Sequence, residues 1–135
     1  MNVAIEMHDS EVLAIERDAP GGGFVLLDAY VHRSAGECGV DPGEGGVQRI
    51  RIKIEAMTVK GEVGDLPSYI YEGSLIAGTS LQDNLVPFPA AYAEAVRLTM
   101  MLSEDARVLV ICGTGLTIEP EGPFQFVESC DFSTS

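Results

Sequence analysis

Residues 48–58 read QRIRIKIEAMT and repeat with a period of two. Aliphatic side chains alternate with charged ones, namely Ile50, Ile52, Ile54 and Ala56 against Arg49, Arg51, Lys53 and Glu55. Successive side chains of a β-strand point to opposite faces, so this segment has one aliphatic and one charged face. A helix would scatter the four aliphatic positions around its circumference. The segment therefore predicts a half-buried antiparallel strand.

Similar apolar runs, separated by turn residues, recur along the rest of the chain. They predict strands at residues 11–17, 23–32, 107–118 and 124–127, with a glycine bend at 113–115, and one or two short strands within 63–77, for which 74–76 is the better candidate. Residues 96–102 permit a helix by propensity, but their apolar positions alternate, which favours a strand. Residues 34–46 and 81–89 are predicted as loops, and residues 90–95 as a single helical turn. We therefore predict an all-β antiparallel sandwich or flattened barrel of about eight or nine strands, with at most one short helical turn. It forms one β domain over residues 1–129, followed by a polar tail at 130–135.

The charge balance argues against two classes of partner. The chain has 135 residues, 21 of them acidic and 8 basic, with a formal net charge of −13. Eight scattered cations do not outweigh the repulsion between this anionic surface and phosphates, which argues against a nucleic-acid partner and disfavours binding to anionic lipid. A strongly anionic surface instead speeds encounter with basic proteins. The sequence predicts a protein partner or self-association as a homodimer, with no membrane or nucleic-acid contact.

The sequence lacks several motifs that would indicate a membrane, secreted, metal-binding or enzymatic protein. No stretch of about 18 apolar residues exists, and the first ten residues lack the basic and apolar regions of a signal peptide. The three cysteines, Cys38, Cys112 and Cys130, show no C-x-x-C spacing, which argues against a zinc site or a disulfide framework. No phosphate-loop, nucleophile-elbow or zinc-protease motif occurs. We predict a cytoplasmic protein without a cofactor.

The two histidines form the most distinctive polar pattern. A first hairpin turning at Pro20 and Gly21 pairs residues whose numbers sum to about 41, which places Asp9 opposite His32 and His8 opposite Arg33. Both imidazoles would then lie at one end of the hairpin. The resulting candidate polar site comprises His8, Asp9, Asp28, Tyr30, His32 and Arg33.

Two interpretations of this site remain open. His8, Asp9 and His32 could bind a metal, or a histidine and a carboxylate could act as a general base, with hydrolysis as a conceivable activity. Alternatively, Asp9 turns the backbone and each histidine pairs with a neighbouring acid on an anionic surface. No serine or cysteine nucleophile is placed nearby by the sequence, so no catalytic residue is assigned.

The charged face of residues 48–58 provides a second candidate site. Arg49, Arg51 and Lys53 hold three of the eight cations and could recognise an anionic ligand or an acidic partner. Alternatively, they pair with acids on adjacent strands, which contributes about 0.2–1 kcal/mol for each pair. The sequence does not decide between these interpretations.

The segment MHDSEV at residues 7–12, followed by LAI at 13–15, resembles the start of small uncharacterised bacterial β-rich proteins. Some of those proteins resemble predicted immunity proteins of polymorphic toxin systems. The resemblance implies an intracellular bacterial protein that neutralises a basic toxin by binding it, and it implies no catalytic residues. From residues and resemblance together we expect a non-catalytic acidic binding protein. The alternatives are a small-ligand or metal-dependent site at the His8/His32 end of the hairpin, and a subunit that closes a sheet edge in an assembly.

Overall fold

The structure, a computed structural model, describes residues 1–18, 20–103 and 106–131. Within these ranges the chain forms twelve β-strands and no helix. The strands are β1 (Asn2–Arg17), β2 (Gly23–Ser34), β3 (Gly43–Glu55), β4 (Thr58–Lys60), β5 (Ser68–Ala77), β6 (Ser80–Asp83), β7 (Leu85–Pro87), β8 (Ala90–Tyr92), β9 (Val96–Leu102), β10 (Arg107–Gly113), β11 (Gly115–Pro120) and β12 (Gln125–Cys130). The described part of the chain also contains no helix long and apolar enough to cross a membrane.

All twelve strands belong to one antiparallel sheet that curls into a flattened half-barrel. Nine strands follow one another across the sheet in the order β4-β10-β9-β5-β1-β2-β3-β11-β8. The other three attach beside this path, since β12 pairs with β3, β6 with β5, and β7 with β1. The predicted all-β flattened barrel is confirmed.

The isoleucine-rich segment lies in β3, between β2 and β11 in the sheet. Ile50, Ile52 and Ile54 are each at most 2% exposed, and β3 pairs with β2 along almost its whole length. On β2, the alternate residues Val25, Leu27, Ala29 and Val31 are fully buried. Together with apolar residues of β5, β9, β10 and β11 they form one core cluster. The period of two in the sequence thus corresponds to the inner and outer faces of the curled sheet.

The predicted single strand at residues 107–118 is in fact two strands, separated at Thr114. β10 pairs with β9 and β4, whereas β11 pairs with β3 and β8, so the chain passes from one flank of the sheet to the other within three residues. Gly113 permits this crossing because a Cβ atom there would lie 2.5 Å from the backbone oxygen of Glu55. The Thr114 amide then donates a hydrogen bond to that oxygen, at 2.9 Å.

Three predicted irregular segments also prove wrong in part. The predicted loop at 81–89 contains most of β6 and all of β7, where Val86 is 2% exposed and pairs with Ile5. Pro87 is accommodated because β7 pairs only with β1 among the described strands, and proline is tolerated on such an edge strand. The predicted helical turn at 90–95 is replaced by β8, and β3 already begins inside the predicted loop at 34–46. Residues 132–135 of the predicted tail lie outside the described ranges, while Cys130 ends β12.

Candidate functional site

The predicted convergence of the two histidines is wrong because the β1–β2 register changes along the hairpin. His32 lies opposite Ala4, and Arg33 lies opposite Val3. The register shifts between Glu6 and Glu11, where residues 7–10 of β1 form an irregular bulge. Asp9 adopts a left-handed backbone conformation there, with φ of 77°, which moves the N-terminal half of β1 along its partner.

Ser10 replaces the ladder hydrogen bonds that this bulge removes. Its side chain is fully buried, and its Oγ donates a hydrogen bond to the backbone oxygen of Glu6 at 2.6 Å. The backbone amide of Tyr30 donates to the same Oγ at 3.0 Å. One hydroxyl therefore satisfies a backbone group on each of the two strands, and the buried backbone at the bulge keeps its hydrogen bonds.

His8 points away from the hairpin partner and toward β5. Its Nδ1 lies 2.8 Å from the backbone oxygen of Tyr71, and its ring contacts the Tyr71 ring edge-on at 6.1 Å between centroids. Its Nε2 lies 3.5 Å from Oδ1 of Asp9. The hydrogen bond to the Tyr71 oxygen, and then the Asp9 carboxylate, raise the pKa of His8 above its ordinary value. The backbone amide of His8 donates to Oδ1 of Asn84, at 2.8 Å.

His32 belongs to a different group on the outer face of the sheet. It is 7% exposed, its Nε2 lies 3.1 Å from Oε2 of Glu6, and its ring meets Tyr30 edge-on at 5.3 Å. The Tyr30 hydroxyl donates to Glu128 on β12, passing over Gly45, where any side chain would collide with it. Burial, and then the hydrogen bond to Glu128, raise the pKa of Tyr30 far above its ordinary value. The hydrogen bond between Tyr30 and Glu128 thus connects β12 to β2.

The remaining two residues of the candidate polar site form ion pairs elsewhere. Asp28 accepts a hydrogen bond from Nε of Arg49 at 2.7 Å. Arg33 pairs with Glu44 at 3.0 Å and stacks over the ring of Phe124 at 3.7 Å. The six predicted residues therefore fall into separate small clusters rather than one site.

The metal interpretation receives no support from this arrangement. Asp9 accompanies His8, whereas His32 is held by Glu6. In the ranges that the structure describes, no group of three or more histidine, cysteine, aspartate or glutamate side chains is arranged to hold a metal ion.

The cationic stripe of β3 is paired with carboxylates along its length. Each cation has a partner at 2.7 Å on a neighbouring strand or turn, in the pairs Arg49–Asp28, Arg51–Glu121 and Lys53–Glu119. The Arg51 contact is bidentate, with a second distance of 2.9 Å, and it lowers the pKa of Glu121. The three cations thus pair with carboxylates, which is the second of the two interpretations given from the sequence. Because their charges are already neutralised, they attract an external anion only weakly.

A groove that the sequence did not indicate crosses the outer face of β5, β6, β9 and β10. It has a volume of about 410 Å³ and is open to solvent. We call it the tyrosine groove and define it by the residues Tyr71, Glu72, Ser74, Asp83, Met101 and Val108. Tyr71 and Val108 are 56% and 46% exposed, large fractions for side chains with so much apolar surface.

Strand register arranges the lining of the tyrosine groove in two rows across the sheet. One row runs from Glu72 on β5 to Met101 on β9 and Val108 on β10. The other runs from Asp83 on β6 through Ser74 and Thr99. Each row begins with a carboxylate on the β5–β6 side and becomes uncharged toward β10. Among the residues that the structure describes, the groove lining is therefore acidic on the β5–β6 side and uncharged toward β10, where Met101 and Val108 are apolar.

The bulge at residues 7–10 supports the wall of this groove. His8 contacts Tyr71 through both its ring and its Nδ1, and its amide binds Asn84, another residue of the lining. Asn84 has a left-handed backbone, with φ of 64°, and its amide donates to the Gly73 oxygen at 3.0 Å. The histidine singled out from the sequence thus positions a surface that the sequence did not reveal.

Two sequence patterns involve residues of this groove, although neither of them located it. Met100 and Met101 are adjacent, so one had to face the core and one outward; Met100 is fully buried, and Met101 lines the groove. Residues 108–112 are apolar on both faces, which predicts a strand covered on both sides. That prediction is wrong, because Val108 is half-exposed.

Searches of known protein families, of curated proteins and of solved structures find no match to this chain.

Proposed function

We propose that this chain is a non-catalytic binding protein that takes a basic protein partner in the tyrosine groove. The observation that carries the proposal is the composition of the groove. Tyr71, Met101 and Val108 give it an accessible apolar floor, and within the described residues its charged lining consists of Glu72 and Asp83. A central aromatic and apolar patch bordered by charge is typical of protein interfaces.

The net charge of −13 supports a basic partner. Long-range attraction raises the rate of encounter with a cationic protein, while the apolar floor supplies the contact area that holds the complex together. The outer face of β3 is less suited to binding because its three cations already have carboxylate partners at 2.7 Å.

We further propose the role of an inhibitor or immunity-like protein in the bacterial cytoplasm. Support comes from the acidic charge and from the resemblance carried by residues 7–12. Self-association as a homodimer is the competing use of the same surface, and sedimentation of the free protein distinguishes the two.

The test uses two defined peptides, one of alternating lysine and leucine and one of alternating lysine and glycine. The chain lacks tryptophan, so binding is mapped by NMR on the methyl groups of Met101 and Val108. We expect the leucine peptide to shift these signals and to bind more tightly, because only it can cover the apolar floor. Tyr71→Ala should weaken it about tenfold, the usual effect of truncating an aromatic residue at an interface centre.

A matched pair of charge reversals separates groove binding from general attraction. Glu72→Lys with Asp83→Lys changes the groove, and Glu37→Lys with Glu94→Lys changes two exposed carboxylates outside it by the same total charge. The proposal requires a much larger loss of binding in the groove variant. Equal losses, or peptide shifts spread evenly over the acidic surface, would refute it.

A further inference from the structure

We propose that the tyrosine groove is a receptor for a single lysine or arginine side chain of the partner. The methylene stem lies on Val108 and Met101, and the cation lies at the carboxylate end beside Tyr71. This inference rests on the proposed function and names the chemical group that the groove recognises.

The register of the strands gives the dimensions of such a receptor. Val108, Met101 and Glu72 lie directly opposite one another on β10, β9 and β5. Adjacent strands are about 4.8 Å apart, so this row spans about 10 Å from its apolar end to its carboxylate end. An extended side chain that is apolar near the backbone and cationic at its tip matches the gradient. Lysine and arginine are the side chains with this division.

Tyr71 adds a second interaction for the cation. Its ring is half-exposed in the groove and makes an edge contact with the His8 ring. A cation over an accessible tyrosine face is attracted by the ring quadrupole. The Asp83 carboxylate, at the end of the second row, adds a further negative charge on the same side of the groove. Among the described lining residues, that end offers no positive group to an anionic side chain.

A second copy of the chain fits this groove poorly. In a two-fold contact of groove on groove, the same surface faces itself. Glu72 and Asp83 would then meet their own equivalents, and each copy carries a net charge of −13. Charge complementarity therefore favours a cationic partner over self-association.

The test uses small probes that isolate the side chain from the rest of a partner. Nα-acetyl-lysine methylamide and Nα-acetyl-norleucine methylamide share the same alkyl stem and differ in the ammonium group. They are titrated into the protein while the Met101 methyl and Tyr71 ring signals are followed by NMR. We expect saturable shifts with the lysine probe and about tenfold weaker binding of norleucine, as the sum of one exposed cation–π contact and one exposed ion pair. The arginine analogue should behave like lysine.

Isosteric variants assign the effect to the groove. Glu72→Gln should weaken the lysine probe several-fold and leave norleucine unchanged, and Tyr71→Leu should do the same. Glu94→Gln, an exposed carboxylate outside the groove, is the matched control and should change neither probe. Retained resonance dispersion shows that each variant is folded, so a change in affinity reports on the groove alone.

The outcomes separate this inference from the proposed function. If lysine and norleucine bind equally, or if Glu72→Gln and Glu94→Gln act alike, the side-chain receptor is refuted. Should the lysine–leucine peptide still map to the groove in that case, the proposed function stands without it. If neither the probes nor the peptide map there, both are refuted, and a dimer that buries Tyr71 in sedimentation and NMR would identify a second copy as the occupant.

Discussion

Ser10→Ala tests whether one hydroxyl holds the bulge of β1 together. The substitution leaves the amide of Tyr30 and the carbonyl of Glu6 without the partner they share in the wild-type protein. Each buried backbone group left unpaired costs about 1–3 kcal/mol, and the fully buried position restricts rescue by water. We therefore expect the free energy of unfolding to fall by about 2–6 kcal/mol. That is a large fraction of the roughly 5–15 kcal/mol typical of a domain.

The measurement is urea unfolding followed by far-ultraviolet circular dichroism. The free energy in water is obtained by linear extrapolation. Ser129→Ala provides the control because Ser129 also lies in a strand, β12, but is exposed to solvent. It should change the stability by no more than about 0.5 kcal/mol.

A loss for Ser10→Ala no larger than that of the control would refute the reasoning. It would mean that the two backbone groups find other partners, and that the hydroxyl does not set the register. A change in the slope of the unfolding free energy against urea concentration would also count against it. The prediction assumes that the variant and the wild-type protein expose the same surface on unfolding.

Three further predictions concern other positions. Gly113→Ala should destabilise the protein by about 1–3 kcal/mol in the same assay, since the new methyl group would lie 2.5 Å from the backbone oxygen of Glu55; an unchanged stability would contradict the close crossing. Ala56→Gly should stabilise it by about 0.5–1 kcal/mol, because Ala56 has φ of 51° and glycine adopts that conformation without strain; a loss of stability would contradict this. The pKa of His8 followed by NMR should exceed 6.5 and should fall in Asp9→Asn. Since the pKa is raised in the folded state, His8 stabilises the fold below about pH 6.5, and this contribution is lost as the pH rises through the folded-state pKa; a pKa at or below 6.5 would contradict the Tyr71 contact.

The fold was predictable because its core strand carries a strict alternation. Ile50, Ile52 and Ile54 can share one face only in an extended strand, and every one of them lies in the core. Alternation also identified the strand at residues 96–102, whose helical propensity left it ambiguous. Periodicity reports the two faces of a strand, so it predicts burial well wherever one face is covered.

The site was not predictable because it depends on register and on neighbours distant in sequence. Two register shifts, one at the bulge that contains the left-handed Asp9 and one between Val12 and Ala14, displace His8 from the position that a regular hairpin assigns to it. Nothing in the composition of residues 7–10 determines how many residues the bulge contains. Tyr71 on β5 and Val108 on β10 come together only because β9 pairs with both of these strands in the folded sheet. A sequence pattern along one strand carries no information about such a surface.

The crossing at Thr114 has a consequence for how the molecule comes apart. β10 and β11 are consecutive in the chain, yet five strands of the sheet path, β9, β5, β1, β2 and β3, lie between them. The chain at Thr114 therefore connects the two flanks of the curled sheet covalently. Neither flank can separate from the core without moving the other. We therefore expect little independent fraying of either flank, so that the amides of β10 and β11 exchange with solvent together.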